Sequence, residues 1–310
     1  MNFNKISDSL YQFFLSEKNK KSIESVFLLV AIGSFILHLL IIGCVHINLI
    51  PISEPSHLFV NPIAAIYTPF SFILVYEVYL LIYYLPKSTY IYVSKQYEII
   101  TLIVFRRLFK DLSNLDLVAT WFNNQNDLQF TFDLITSLVL FLLIYLFHIS
   151  HSKKQDSLNT PSETLHRINR FVHVKKWMAI ALVPLLFCIS IYSFISWSSG
   201  IIEPDASDLK SLKNVNNIFF EDFFNILIIT DVFLLLFSFF HTDHFHKVIR
   251  NSGFIISTIL IRISFTVEGI TNNLLIVSAV IFGLCVILIH NKFEKNSGFD
   301  ESPSGKELED

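Results

Sequence analysis

Eight apolar stretches take up about half of the 310 residues: Ser25 to Ile50, Pro62 to Leu85, Tyr97 to Phe109, Thr131 to His148, Trp177 to Trp197, Phe219 to Phe240, Gly253 to Val267 and Asn273 to His290. A helix crossing a bilayer needs about 20 consecutive apolar residues, and a backbone in lipid must satisfy its own hydrogen bonds. The stretches therefore predict an all-α, polytopic transmembrane helical bundle of eight spans. The third and seventh are short and carry arginines. Composition points the same way, with 53% hydrophobic and only 16% charged residues, where soluble domains run nearer a quarter charged. Trp177 and Trp197 stand about 30 Å apart along a helix, the spacing of an interfacial aromatic pair.

The tails and loops outside these stretches are too short to hold a soluble catalytic domain of about 100 residues. There is no P-loop, G-x-S-x-G, H-E-x-x-H or dinucleotide fingerprint. The expectation is a non-enzymatic protein without a cofactor. A net charge of -3 with scattered basic residues argues against a nucleic-acid partner. Cys44, Cys188 and Cys285 each fall inside an apolar stretch, without disulfide or metal spacing, and read as packing residues. The segment before the first span lacks a small-residue cleavage site behind a short apolar core, so it is expected to be retained.

Basic residues recur at every second break. Lys5, Lys18, Lys20 and Lys21 precede the first span, and Lys87 and Lys95 follow the second. Lys153, Lys154, Arg167, Arg170, Lys175 and Lys176 follow the fourth, Lys247 and Arg250 the sixth, and Lys292 and Lys295 the eighth. The intervening loops are poor in Lys and Arg, so the positive-inside bias predicts cytoplasmic N- and C-termini. Arg106, Arg107 and Lys110 are the exception.

Self-comparison accounts for that exception. The stretch from Glu77, EVYLLIYYLPKSTYIYVSKQYEIITLIVFRR, aligns with the stretch from Asp231, DVFLLLFSFFHTDHFHKVIRNSGFIISTILIRIS, with a single-residue gap. Glu77 matches Asp231, Lys95 matches Arg250, Gln96 matches Asn251 and Arg107 matches Arg262; in each copy 12 residues separate the basic pair. The expected architecture is thus a parallel duplication of a four-helix unit. Its parts are a cytoplasmic tail (1–24), a first repeat (25–150), a basic cytoplasmic linker (151–175), a second repeat (176–291) and an acidic cytoplasmic tail (292–310).

From Asp231 to Asn291 the chain resembles the phosphate-starvation-inducible PsiE family of four-span bacterial inner-membrane proteins. The resemblance rests on Asp231, on HFHKVIR ending at Arg250, on GFIISTILIR ending at Arg262, and on the apolar span that follows. The first copy fits through Glu77, Lys95, Arg107 and the span from FDLITSLVLFLLIY, with Asp133 where the family tends to carry an acid and the second copy has Asn273. The chain departs from the pattern in being duplicated and in the long outer loop of copy one. The resemblance implies a bacterial inner-membrane location and a stress-response or phosphate-starvation association. It supplies no mechanism, because the family's molecular activity is undefined.

The chemistry-bearing residues are the intramembrane charges. An unpaired charge at such depth costs at least about 2.5–3.5 kcal/mol, so Glu77 is expected to pair with Arg107 and Asp231 with Arg262 in the bundle interior. Such pairs either fix helix register or line a wet path for an ion or a proton. Arg106 points about 100° away from Arg107, either adding a second positive charge for an anion or snorkelling outward. His241, Asp243, His244 and His246 form the densest ligand cluster, yet the segment sits at a membrane edge where lipid phosphate would serve equally. His38 and His46 share one helical face and read as hydrogen-bonded groups, with a proton relay as the alternative; Glu221 and Asp222 complement a helix N-terminus, with a cation-collecting vestibule as the alternative. The expected partners are the bilayer, ions or protons, and a second copy or another protein bound through the linker or acidic tail.

Overall fold

The computed structural model describes residues 3–47, 49, 62–112, 125–151, 162–202, 215–239, 245–267 and 269–300, which are helical with short turns and contain no strand. The helices are α1 (Phe3–Leu15), α2 (Glu17–His46), α3 (Tyr67–Tyr84), α4 (Thr89–Leu112), α5 (Gln125–His151), α6 (Ser162–Ile202), α7 (Val215–Phe239), α8 (Phe245–Ser264) and α9 (Ile270–Asp300), with a 3₁₀ turn, Pro62–Ile66, leading into α3.

Local chemistry sets several boundaries. Ser16 is extended (φ -78°, ψ 154°), and its hydroxyl accepts from the Asn19 amide at 3.2 Å, ending α1 and starting α2. Pro86 lies in the turn between α3 and α4, where a missing N–H is harmless. Gly269 opens α9 at φ +73°, a left-handed conformation that a side chain would strain.

α4 and α8 lie at the centre, packed on each other. α4 also packs on α3 and α5, α8 on α7 and α9, and α5 closes against α9. Outside this group α2 lies on α3, and α6 lies on α7, α3 and α1. α2, α5, α6 and α9 are long and apolar enough to cross a membrane, and α3 and α7 carry shorter apolar stretches. The two charged helices are thus the two enclosed by the others.

Burial runs opposite to that of a soluble bundle. Leu29, Phe141 and Leu274 are 73%, 71% and 66% exposed, while Asp133 and Asp231 are at 0%. Each exposed Leu or Phe would forgo about 1.5–3 kcal/mol of burial in water, so an outer surface of this kind fits lipid. Cys188 and Cys285 are on this outer surface too, correcting their expected role as packing residues inside the bundle.

Helix is also present in three segments outside the expected spans. The segment expected as a linker to residue 175 becomes α6 at Ser162, so α6 runs through both Trp177 and Pro184. The C-terminal tail expected from 292 is helical to Asp300. The N-terminal tail contains α1, an amphipathic helix with Leu15 buried and Tyr11 and Phe14 packed on the core. Phe14 accepts from the Tyr79 hydroxyl at 2.9 Å and Asp8 pairs with Lys176 at 2.8 Å, so α1 ties α3 to α6. The hydrogen bond from Lys176 holds the Asp8 carboxyl below its usual range.

Gly283 on α9 leaves room for Tyr97 of α4, whose hydroxyl occupies the place a Cβ would take. Gly283→Ala should therefore lower stability by about 1–3 kcal/mol through overpacking. Gly33→Ala on α2, with nothing within 4 Å, should leave the melting temperature unchanged or slightly raised. Thermal melts of both variants in detergent check this.

Candidate functional site: the buried charge networks

Three arginines near the ends of α4 and α8 organise the interior. Arg262 stands in the last turn of α8, and Asp231 about two turns before the end of the antiparallel α7. Side chains lean toward the N-terminus of their own helix, so on antiparallel neighbours these two lean toward each other. Arg262 Nη1 lies 2.7 Å from Asp231 Oδ2, with both side chains almost wholly enclosed. The Tyr92 hydroxyl donates to Asp231 Oδ1 at 2.9 Å and Thr258 to Oδ2 at 3.0 Å. Arg262 Nη2 donates to Gln96 Oε1 at 3.2 Å and to the Tyr92 oxygen at 3.3 Å. Tyr92 and Gln96 are four residues apart on one face of α4. This network therefore crosses from the C-terminal half of the chain to the N-terminal half.

Arg107 makes the reciprocal crossing. Its Nε lies 2.5 Å from Asp133 Oδ2 on α5, and its Nη1 donates to Asn272 Oδ1 at 2.9 Å on α9. Nη2 donates to Asn273 Oδ1 at 2.5 Å. Asp133 Oδ1 also accepts from Gln129 at 2.7 Å and from the Asn273 amide. Asn272 in turn donates to the Ser264 carbonyl at the end of α8.

The third arginine closes the N-terminal half on itself. Arg106 Nη2 pairs with Glu77 Oε2 between α3 and α4, and Nη1 donates to the Phe70 carbonyl at 3.2 Å. Its guanidinium lies 6.0 Å from the centroid of the Phe70 ring.

The expected partnership of Asp231 with Arg262 is present. That of Glu77 with Arg107 is not: Arg106 reaches Glu77, and Arg107 turns to Asp133 and α9. Adjacent helical residues point about 100° apart, so one arginine faces α3 and its neighbour faces α5 and α9. Arg106 is consequently turned inward to a carboxylate instead of snorkelling. Tyr92, Gln96, Gln129 and Asn272 were not singled out from the sequence. The i, i+4 spacing of Tyr92 and Gln96 and the Asn272–Asn273 pair at the head of an apolar helix are the signals that point to them.

Between the networks, the Tyr97 hydroxyl of α4 meets Ser257 Oγ of α8 at 2.6 Å, and Ser257 donates to the Ala279 carbonyl at 2.6 Å. Ser257 has one proton, so Tyr97 is the donor in this chain.

Lys95 and Arg250 stand apart from these interior pairs. Lys95 pairs with Glu98 at 2.6 Å, and Glu98 also meets His148 at 3.1 Å. Arg250 contacts His290 Nε2 at 3.0 Å, and the His246 and His290 rings stack at 5.3 Å. His241, Asp243 and His244 lie outside the described residues, as do the side chains of Glu221 and Asp222. Among the described residues no group of three or more His, Cys, Asp and Glu side chains is arranged to hold a metal ion. His38 Nδ1 is 2.6 Å from Thr68 Oγ1, a contact between α2 and α3.

Chemically, the Asp231 carboxylate is saturated. Asp231 and Asp133 each face a guanidinium on one oxygen and further donors on the other. Removing one member of a buried pair strands its partner and costs about 3–5 kcal/mol, whereas removing both costs less. Asp231→Asn alone should therefore lower stability more than Asp231→Asn combined with Arg262→Met. A double-mutant cycle should likewise find coupling between Glu77 and Arg106 and none between Glu77 and Arg107; melting in detergent reads both.

A scan against protein-family models found no match, and searches of the curated proteins and of the solved structures found none either.

Proposed function

We propose that this chain is a non-enzymatic, eight-span integral membrane protein in which α2 to α5 and α6 to α9 are two copies of one four-helix unit, held together by buried arginine networks. The saturation of Asp231 carries this reading: a carboxylate whose two oxygens are both engaged, by Arg, Tyr and Thr, is arranged to fix helix positions. A proton carrier would have to break that arrangement on every cycle.

The packing supports the duplication. Each helix of the first set finds a counterpart in the second: α2 on α3 answers α6 on α7, α3 on α4 answers α7 on α8, and α4 on α5 answers α8 on α9. The contacts of α4 with α8 and of α5 with α9 are those an approximate twofold axis would map onto themselves. Asp133 and Asn273, matched through the PsiE resemblance, touch at that α5–α9 seam. The resemblance to PsiE proteins supports a bacterial inner membrane as location and a stress-response or phosphate-starvation role. The positive-inside bias supports cytoplasmic termini. Partners bound through the acidic tail form a third reading, and the residues after Asp300 lie outside those described.

One observation favours passage of an ion or proton. Gln96 Nε2 is buried beside Arg262 with no hydrogen-bond partner among the described residues, and Tyr97 and Ser257 continue the polar line along α4 and α8. Flux through the full-length protein in liposomes separates the readings. The structural reading expects no proton or ion flux above that of empty liposomes. Flux that vanishes in folded Asp231→Asn would instead establish transport. Topology has its own check: a cysteine placed between residues 51 and 61 should react with an impermeant thiol reagent from outside intact cells, and one at Lys292 should not.

A further inference from the structure

We infer that four lysines gathered around the α3–α4 turn form a binding site for the headgroup of a net-anionic phospholipid. Lys20 comes from the first turn of α2, Lys87 from the turn itself, Lys95 from α4 and Lys175 from α6. The first three converge on Tyr83 and Tyr84, whose ring centroids are 5.0 Å apart, and Lys175 adjoins them through the Lys87 backbone. Lys20 Nζ donates to the Tyr84 hydroxyl at 3.1 Å and lies 5.2 Å and 5.4 Å from the two ring centroids. Lys87 Nζ is 5.9 Å from the Tyr83 ring and Lys95 Nζ 5.7 Å from the Tyr84 ring. Lys175 Nζ donates to the Lys87 carbonyl at 3.1 Å and lies 4.8 Å from the Phe171 ring.

Nearby negative charge falls short of this positive charge. Glu98 pairs with Lys95, Glu17 acts on Tyr83, and the Asp231 charge that reaches Lys175 is already held by Arg262. Lys175 is only 4% exposed, and among the described residues no carboxylate lies within ion-pairing distance of it. Like charges drawn from four separate elements repel, and a bound anion relieves that repulsion. Tyrosine rings share the cationic charge but leave the ammonium protons free to donate to phosphate oxygens.

Position selects the ligand class. The cluster lies at one end of the bundle, beside the last turn of α3 and the first turn of α2, and Trp177, 40% exposed, stands two residues beyond Lys175. Interfacial tryptophan marks headgroup depth, and basic pockets between helices at that depth take anionic headgroups. The inference rests on the membrane reading, but not on which leaflet faces this end.

The test uses full-length protein in a zwitterionic detergent. Its thermal stability is followed as phosphatidylglycerol, phosphatidylcholine or inorganic phosphate is added. The site predicts saturable stabilisation by phosphatidylglycerol beyond that by phosphatidylcholine. Lys20→Gln with Lys87→Gln should weaken it by about fivefold per lysine, Lys20→Arg with Lys87→Arg should retain it, and Lys292→Gln with Lys295→Gln should leave it unchanged. Equal stabilisation by inorganic phosphate, lost in the same Lys20/Lys87 variant, would keep the site but assign it to free phosphate and overturn the lipid. No difference between the two lipids, or equal response of the Lys20/Lys87 and Lys292/Lys295 variants, would overturn the site. Alkaline carbonate extraction of membranes from cells expressing the wild type tests the membrane reading separately: release into the soluble fraction would contradict that reading, whatever the lipid titration gives.

Discussion

Three guanidinium groups held inside a bundle whose outer surface is apolar impose the order of everything around them. Arginine stays charged in any protein environment, so each needs a carboxylate and a set of acceptors supplied by the helices it touches. Arg106 is met by Glu77 and the Phe70 carbonyl, Arg107 by Asp133, Asn272 and Asn273, and Arg262 by Asp231, Gln96 and Tyr92. Satisfying them requires α4 and α8 to be enclosed and α3, α5, α7 and α9 to stand beside them. Apolar helices sliding in lipid have many near-equivalent registers; a buried pair with directional hydrogen bonds has few. Buried ionic groups are weak sources of stability and are better suited to fixing register.

The networks differ in reach. The Glu77–Arg106 pair lies within one half of the chain and joins α3 to α4. The other two cross between halves, with Arg107 taking acceptors from α9 and Arg262 taking them from α4. On the proposed duplication, Arg107 and Arg262 are the matched positions, and each extends toward the opposite copy. Arg106 has no counterpart, since the matching residue is Ile261. An extra arginine in the first copy takes over its α3 acid and leaves Arg107 free to bind Asp133, whose counterpart in the second copy is Asn273.

Much of the helical organisation is legible in the sequence because hydropathy reports it: every apolar stretch overlaps a described helix. The enclosed position of the third and seventh stretches follows from their arginines. Partner choice is harder to read. Glu77 faces two adjacent arginines, and only the angle of α4 about its axis decides between them; an apolar helix gives no periodic signal of that angle. The cross-half acceptors Tyr92, Gln96 and Asn272 are similarly hidden, because neutral polar residues in a span have no charge balance to reveal them. α1 is missed where charge and polarity break the segment, though Leu10, Tyr11, Phe14 and Leu15 have the spacing of one helical face.

The central claim is that hydrogen bonds between the halves hold Asp231 and Arg262 in place, and the Tyr92 hydroxyl tests it with the least disturbance. Tyr92→Phe keeps the ring and removes one oxygen that donates to Asp231 and accepts from Arg262. Thermal unfolding of the full-length variant in detergent should show a loss of about 1–3 kcal/mol, and the loss should shrink when Asp231→Asn is already present. A Tyr92→Phe protein that melts like the wild type would contradict the account.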